Sequence, residues 1–279
     1  MLLTRRAAIK GVLVTTIGAA TGAGSYGYAY ERHHIGVTEA SIPVSGLEPA
    51  LDGLRVGLIT DIHHSAMVPA DDVSGAVNLL LAQKPDLIVL GGDYVTFGDR
   101  AFVGPVAELL APLQAPHGVF AILGNHDDDR DMPAALAAQH ISVLKDARTR
   151  VEIRGAGLEL VGIRYWTRRA ADIARILRKK TESSALLLAH DPRRLTEAAA
   201  LDIPAVLSGH THGGQVLVPG IGPVVTRKRF PIIQGVGGQD NTAIFVSRGV
   251  GTVYVPVRIN CPPEVAVLTL RPASGGRRG

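Results

Sequence analysis

The sequence predicts an α/β fold with more than one sheet, and three observations carry that prediction. Across residues 54–210, short apolar runs alternate with segments of helical spacing, the rhythm of strands wrapped by helices. After residue 215 the helical spacing stops, and only strand-like runs and turns remain. The composition is globular: of 279 residues, 46% are hydrophobic and 19% charged, enough apolar material for a large core.

At the amino terminus, Arg5 and Arg6 follow Thr4 and precede Gly11–Tyr30, a span with no charged residue. A basic start before an apolar run is the pattern of an export signal. The arginine pair, with Ile9 and Lys10 behind it, resembles a twin-arginine signal in which Ala7 and Ala8 stand where phenylalanine is usual. Twenty uncharged residues also just suffice to span a bilayer. Residues 1–30 are therefore expected to be a twin-arginine signal peptide or a membrane anchor. Either way the remainder is exported, periplasmic or membrane-anchored and facing outside the cytoplasm. Residues 31–50 read as a linker with an edge strand, 51–271 as the folded domain, and the polar stretch 272–279 as a disordered tail.

Within 51–271, six runs read as strands buried on both faces: LRVGLIT (54–60), DLIVLGG (86–92), GVFAILG (118–124), LELVGI (158–163), ALLLAH (185–190) and AVLSGH (205–210). Helices are expected at 71–83, 100–113, 131–140, 168–180 and 192–200. In 168–180, Ala170, Ile173, Ile176 and Leu177 share one side. The other side carries Arg168, Arg169, Arg175, Arg178, Lys179 and Lys180, a solvated face whose alternative role is contact with a membrane surface. Arg227, Lys228 and Arg229 read the same way. Four further strands follow: QVLVPG (215–220), AIFVSRGVG (243–251), VYVPVRI (253–259) and EVAVLTL (264–270).

Charge and cysteine content narrow the chemistry. The net charge of +4 suits an anionic substrate or a membrane surface, and no nucleic-acid-binding motif accompanies it. Cys261 is the single cysteine, so neither an internal disulfide nor a cysteine-built zinc site is available. Metal chemistry has to rest on His, Asp, Glu and Asn. No H-E-x-x-H helix of a mononuclear zinc peptidase occurs.

The ends of the expected strands carry the chemistry. The first ends in TDIHHS, with Asp61 and His63; the second in GGDYV, with Asp93. The third ends in GNHDDD, with Asn125, His126 and Asp127. The strand at 185 delivers His190, and the next opens into GHTHGG, with His210 and His212. Ligands bind at the carboxyl ends of strands in α/β sheets. Asp61, Asp93, Asn125 and five imidazoles thus meet at one rim with Asp127 beside them, and seven of these side chains are candidate metal ligands. Imidazole with carboxylate suits Mn, Fe or Zn, whereas Mg and Ca prefer oxygen alone. Seven ligands exceed one tetrahedral ion and match two divalent metal ions sharing a carboxylate. Counting two aspartates and a hydroxide against two such ions leaves one positive charge for an incoming phosphate.

The series D-x-H, G-D, G-N-H-D, H and G-H-x-H resembles the calcineurin-like metallophosphoesterase superfamily, over about residues 50–271. GHTHGGQ and VSRGVG…VPVRINCPPEV resemble its exported bacterial branch. The resemblance implies a two-sheet β-sandwich flanked by helices. It also implies that Asp61, His63 and His212 hold one metal, that Asn125, His190 and His210 hold the other, and that Asp93 bridges them. His210 and His212 then serve different ions, with Gly213 and Gly214 turning the backbone beside them.

In the resembled family the histidine at 126 is not a ligand; it stabilises charge or donates a proton at the leaving oxygen, and Asp127 is expected to orient it. The nucleophile is a metal-bridging hydroxide. The purple acid phosphatases of this superfamily carry a tyrosine ligand where Thr96 stands, so no tyrosinate ligand is expected. His64 is expected to line the pocket, His117 to sit in a turn, and His33, His34 and His140 to be exposed.

The expected activity is hydrolysis of a phosphodiester or pyrophosphate bond in an envelope substrate that is lipid-linked or nucleotide-linked. A broad phosphomonoesterase is the alternative within the class. A non-catalytic interaction module is the alternative outside it, and the complete ligand set together with His126 speaks against that.

Overall fold

The computed structural model describes residues 18–177, 184–225 and 230–273. Most of the expected signal (1–17), the basic residues Arg178–Lys180 and Arg227–Arg229, and the end of the tail (274–279) lie outside the described residues. In chain order the strands are β1 (Gly36–Val44), β2 (Arg55–Ile59), β3 (Leu87–Leu90), β4 (Val119–Ala121), β5 (Ser142–Val143), β6 (Ala147–Ile153), β7 (Ala156–Ile163), β8 (Ala185–Ala189), β9 (Ala205–Ser208), β10 (Leu217–Val218), β11 (Gly222–Pro223), β12 (Gly235–Gln239), β13 (Thr242–Val246) and β14 (Glu264–Pro272).

They form two six-stranded sheets, in the orders β1-β14-β2-β3-β4-β5 and β12-β13-β9-β8-β7-β6, plus the β10–β11 hairpin. The strands β2, β3, β4 and β5 run parallel, as do β7, β8, β9 and β13. Their carboxyl ends therefore collect along one edge of each sheet.

Alternation along each strand divides the core into layers. Val56 and Leu58 of β2, Leu186 and Leu188 of β8, Leu207 of β9 and Phe245 of β13 fill the space between the sheets. Ile59, Ile88 and Leu90 point the other way, onto the helices Ala70–Ala82 and Val103–Leu110 through Val73, Leu80 and Val106. Leu187, Val206 and Ile244 pack outward on Ile173 of the helix Ala170–Leu177 and Leu195 of the helix Leu195–Ala200. The result is a helix–sheet–sheet–helix sandwich, as the resemblance implies.

Differences from expectation fall mainly on edge strands. The edge strand expected within 31–50 is β1, which pairs with β14 over nine residues and holds Pro43, a residue an edge tolerates. The edges β6 (ARTRVEI) and β12 (GVGGQ) escape a reading based on apolar runs, because an edge strand buries less of itself. In the other direction, the expected strand VYVPVRI (253–259) is a loop. Tyr254 takes a left-handed backbone (φ 63°), and Pro256 has no N–H to give a ladder. Tight Val255 N–H to Val253 C=O and Val257 N–H to Val255 C=O bonds of 2.7 and 2.9 Å turn the chain instead.

Candidate metal centre

Five strands of the two parallel blocks, β2, β3, β4, β8 and β9, end one to four residues before a candidate ligand. Asp61 and His63 follow β2, Asp93 follows β3, Asn125 and His126 follow β4, His190 follows β8, and His210 and His212 follow β9. The sheets face each other, so the rims of both contribute to one site. Five of these residues, Asp61, His63, Asp93, His210 and His212, have φ between 50° and 71°. Left-handed backbone is costly for side chains with a Cβ and persists where surrounding structure enforces it. Here it turns successive side chains inward, which an extended strand end would not do.

The surroundings are close-fitting. A Cβ at Gly209 would fall 2.2 Å from both Asp61 Oδ2 and Thr60 Oγ1, and one at Gly124 would fall 2.1 Å from Asp93 Oδ1. The backbone thus approaches the two carboxylates as only glycine permits. Gly213 and Gly214 are left-handed at φ 61° and 91°, the turn expected beside His212.

Two groups of ligand atoms converge, each within 4.8 Å: Asp61, His63 and His212 in one, Asp93, His190 and His210 in the other. Asp93 Oδ2 lies between them, 3.5 Å from His63 Nε2 and 3.1 Å from His190 Nε2. Asn125 Oδ1 is buried and makes no hydrogen bond, and Asn125 lines the same cleft as Asp93 and His210. His63 Nε2 meets His212 Nε2 at 3.1 Å, and His212 Nε2 is 3.4 Å from Asp61 Oδ1. So many acceptors share so few protons that the arrangement fits divalent cations of the nitrogen–oxygen type.

Protonation follows the same geometry. Burial pushes His63 down to about 3 and His210 to about 4, and holds His212 well below its usual value, with neighbouring cations adding to the effect. These imidazoles are neutral and ready to ligate. Burial also works against charge on His190, but the Asp93 and Asp61 carboxylates and the Gly91 carbonyl outweigh it and push it up to about 10. Burial opposes the charge on Asp93 too, and His190 and His63 hold it well below the usual carboxylate range. Asp61 is pushed up to about 6 by burial, against Thr60 Oγ1 and His210 N–H, which donate to it.

Around the ligands, His190 Nδ1 bonds Gly91 C=O at 2.8 Å, which leaves its Nε2 for the centre. His126 Nδ1 accepts the Phe97 N–H at 2.9 Å, so in the neutral ring the proton resides on Nε2, the donor tautomer.

Asp127 corrects an expectation. It does not orient the His126 ring. Its carboxylate accepts the N–H groups of Asp93, Tyr94 and Gly124 at 2.7–2.8 Å, bracing the turn that carries Asp93. Burial and the Asp93 charge push it up to about 7 against those donors. Thr96 Oγ1 bonds the His63 carbonyl, and the Tyr94 hydroxyl bonds the carbonyls of Leu90 and Ile122. Neither is aimed at the centre. His64 is buried with Nδ1 on Val68 C=O. His33, expected exposed, instead pairs with Asp72 at 2.7 Å.

The cleft over the centre encloses about 200 Å3 and adds residues that the motifs do not contain: Arg193, Val225, Phe230, Val253 and Tyr254. Beneath it, Arg258 is fully buried. Its guanidinium donates to the carbonyls of Gly251, Gly249, Arg248 and Cys261. That loop in turn donates Val250 N–H and Gly251 N–H to the carbonyls of Thr60 and Asp61. The one signal for Arg258 in the sequence is a lone charge inside the apolar run VYVPVRIN.

Comparison with known proteins agrees with this geometry. The family described as calcineurin-like phosphoesterase matches residues 54–214. An uncharacterized metallophosphoesterase, YkuE of Bacillus subtilis, is 30% identical over 96% of this chain and 98% of its own. The phosphodiesterase YaeI of Escherichia coli is 34% identical over 77% of this chain and 82% of its own. Among solved structures, the sulfate thiohydrolase SoxB of Thermus thermophilus superposes with a TM-score of 0.50 at 12% identity, covering 80% of this chain and 57% of that one.

Proposed function

Because this chain belongs to the calcineurin-like phosphoesterase family, we propose that it is a dinuclear metal-dependent phosphodiesterase acting outside the cytoplasm. The observation that carries the reading is the convergence of two buried ligand groups on Asp93, with His126 beside them in its donor tautomer. Asp61, His63 and His212 would hold one ion and Asn125, His190 and His210 the other, with Asp93 shared. When bound, such ions lower the pKa of water and polarise a phosphoryl group.

The rest is the work of the chain's own residues. The His126 ring stacks edge-on to His63 at 4.9 Å between centroids, which supports a role for its Nε2–H in protonating a leaving oxygen. Arg193 sits at the cleft wall, held by Asp191 at 3.0 Å, where it attracts an anionic substrate. Burial shifts His126 downward, so at neutral pH it acts through that single N–H.

The apolar side of the cleft, Phe230, Val253 and Tyr254, favours a diester or pyrophosphate with an apolar or lipid-linked group over a bare monoester. The arginine pair at 5–6 and the uncharged span 11–30 support export or anchoring. Among the described residues no helix is long and apolar enough to cross a membrane.

The test pairs metal content with turnover. Full-length protein and its His126→Ala variant are loaded with Mn2+, metals per chain are counted, and both are assayed on bis(4-nitrophenyl) phosphate and on the monoester. Two metals in both proteins, with diester turnover in the unmutated one and a reduced but measurable kcat in the variant, is the expected result. Fewer than two metals overturns the dinuclear reading. Two metals without turnover on either ester favours the non-catalytic module.

A further inference from the structure

The mouth of the metal cleft opens among exposed apolar side chains that hydrolysis does not require. Phe97, Tyr254 and Ile221 are 64%, 67% and 68% exposed, and Val224 and Val255 are 58% and 42% exposed. Large apolar groups gathered on one face mark an interaction surface.

Hydrogen bonds hold the loops that carry them side by side. The Phe97 ring lies 5.0 Å from His126 and 5.8 Å from Tyr254. The Gln215 side chain donates to the carbonyls of Val253 and Val255, pinning that loop beside His212. The β10–β11 hairpin, with Ile221 at its tip, joins the same loop through Leu217 N–H to Ile259 C=O, and Asn260 Nδ2 donates to Leu217 C=O.

The N-terminal helical segment, residues 18–29, lands on this same loop. Arg258 N–H donates to Gly27 C=O, and a Cβ at Gly27 would fall 2.9 Å from Val257 and Ile259 side-chain atoms. Glu31 accepts Cys261 N–H at 2.7 Å, and Arg32 donates to Met67 C=O. Residues 11–25, immediately upstream of the contact, contain no charge. The apolar start of the chain and the mouth of the cleft therefore share one strip of the protein, residues 254–261.

We propose that this mouth face docks on an anionic lipid surface, with the helical segment 18–29 lying along the same surface, so that the cleft opens toward the bilayer. Three observations favour lipid over a protein partner. The exposed groups sit on separate loops, at Phe97, at Ile221 and Val224, and at Tyr254 and Val255, rather than along the one line that a partner helix or strand would follow. Arginines accompany the aromatics, Arg168 over the rings of Tyr165 and Trp166 and Arg193 over Phe230, the mixture that suits an interface of headgroups and acyl chains. The net charge is +4. What the cleft would take from that surface, a lipid-linked phosphodiester, rests on the function proposed above; the docking does not.

Depth-dependent quenching tests it on the full chain. Trp166 is the single tryptophan, so Trp166→Phe gives a dark background for Ile221→Trp and Val255→Trp. Glu152→Trp is the control, because Glu152 pairs with Gly157 at the end of β7 far from Ile163, which pairs with Ala189 beside His190; about 20 Å of strand separates those ends. Each variant is reconstituted in vesicles of three parts phosphatidylethanolamine to one part phosphatidylglycerol carrying brominated acyl chains.

Fluorescence from positions 221 and 255 is expected to fall at least twofold and shift to the blue, with position 152 unchanged. Equal quenching at all three positions, or none while the chain sediments with the vesicles, overturns the proposal. So does a concentration-dependent blue shift without lipid, which would mean that a second copy covers the face. Turnover of bis(4-nitrophenyl) phosphate separates the two readings. Turnover without quenching defeats docking alone, and quenching without turnover in unmutated protein defeats the phosphoesterase reading alone.

Discussion

The Nε2 atoms of His63 and His212 face each other at 3.1 Å inside the protein. Both rings are driven toward the neutral form by burial, so no charge holds them apart or together. At most one of the two nitrogens carries the proton that joins them, and Asp61 Oδ1 stands 3.4 Å away with further lone pairs. A cation placed among these atoms satisfies all of them at once. Metal and fold are therefore coupled.

Removing metal should lower stability. At metal concentrations a hundredfold above Kd, binding contributes about 2.7 kcal/mol per site, which is roughly 5–10 °C in Tm for a chain of this size. EDTA treatment is expected to shift the melting curve down by that order, and Mn2+ to restore it. A melting curve indifferent to chelation would contradict the coupling.

Loss of the His126 ring should separate chemistry from binding. The ring makes one hydrogen bond, to Phe97 N–H, and adds no ligand. His126→Ala is expected to keep both metals and the fold while kcat falls about 10²- to 10⁴-fold on esters with poor leaving groups. On nitrophenyl esters, whose leaving oxygen needs no proton, the loss should be smaller. Equal losses on both would remove the acid role.

Metal uptake should release a proton near neutral pH. In the metal-free site His190 is pushed up to about 10, so it is protonated at pH 7 and must lose that proton before Nε2 can ligate. Raising pH from 7 to 9 should thus tighten the second metal by about tenfold per unit, the expectation for one proton exchanged. His63 and His210, at about 3 and 4, exchange none in this range. Titrations at pH 7, 8 and 9 check this, and a pH-independent second affinity would contradict it.

Arg258→Met should destabilise the chain without touching a ligand. The substitution keeps much of the apolar stem and strips the donors from the carbonyls of Gly251, Gly249 and Arg248. Each buried acceptor left unpaired costs about 1–3 kcal/mol, so a loss of about 3 kcal/mol or more is expected by chemical denaturation. Since that loop donates to the Thr60 and Asp61 carbonyls, metal affinity at the Asp61 group should weaken with it.

Backbone clearance gives a sharper variant. Gly209→Ala would place a methyl 2.2 Å from Asp61 Oδ2, so Asp61 has to move. Loss of one metal equivalent with the other retained is expected, measured by metal content after gel filtration.

The sequence alone was enough for the class of fold and for naming the side chains that the structure gathers at one rim. Continuous apolar runs such as LELVGI and ALLLAH announce central strands because such strands are buried on both faces, and the motif residues stand where those runs end. Local patterning does not report what depends on distant neighbours. It missed β6 and β12, whose edge positions demand little burial, and it read VYVPVRI as a strand because alternation ignores the left-handed turn at Tyr254. The resemblance led to Asp127 being assigned to His126, whereas folding brings the N–H groups of Asp93 and Tyr94 across from another strand to claim that carboxylate first. Which histidine meets which aspartate, where the Asp93 oxygen stands between two groups, and that Arg258 supports the floor were decided only by packing two sheets face to face. Those relations join residues 30 to 200 positions apart, and their energies exist only once the chain has closed.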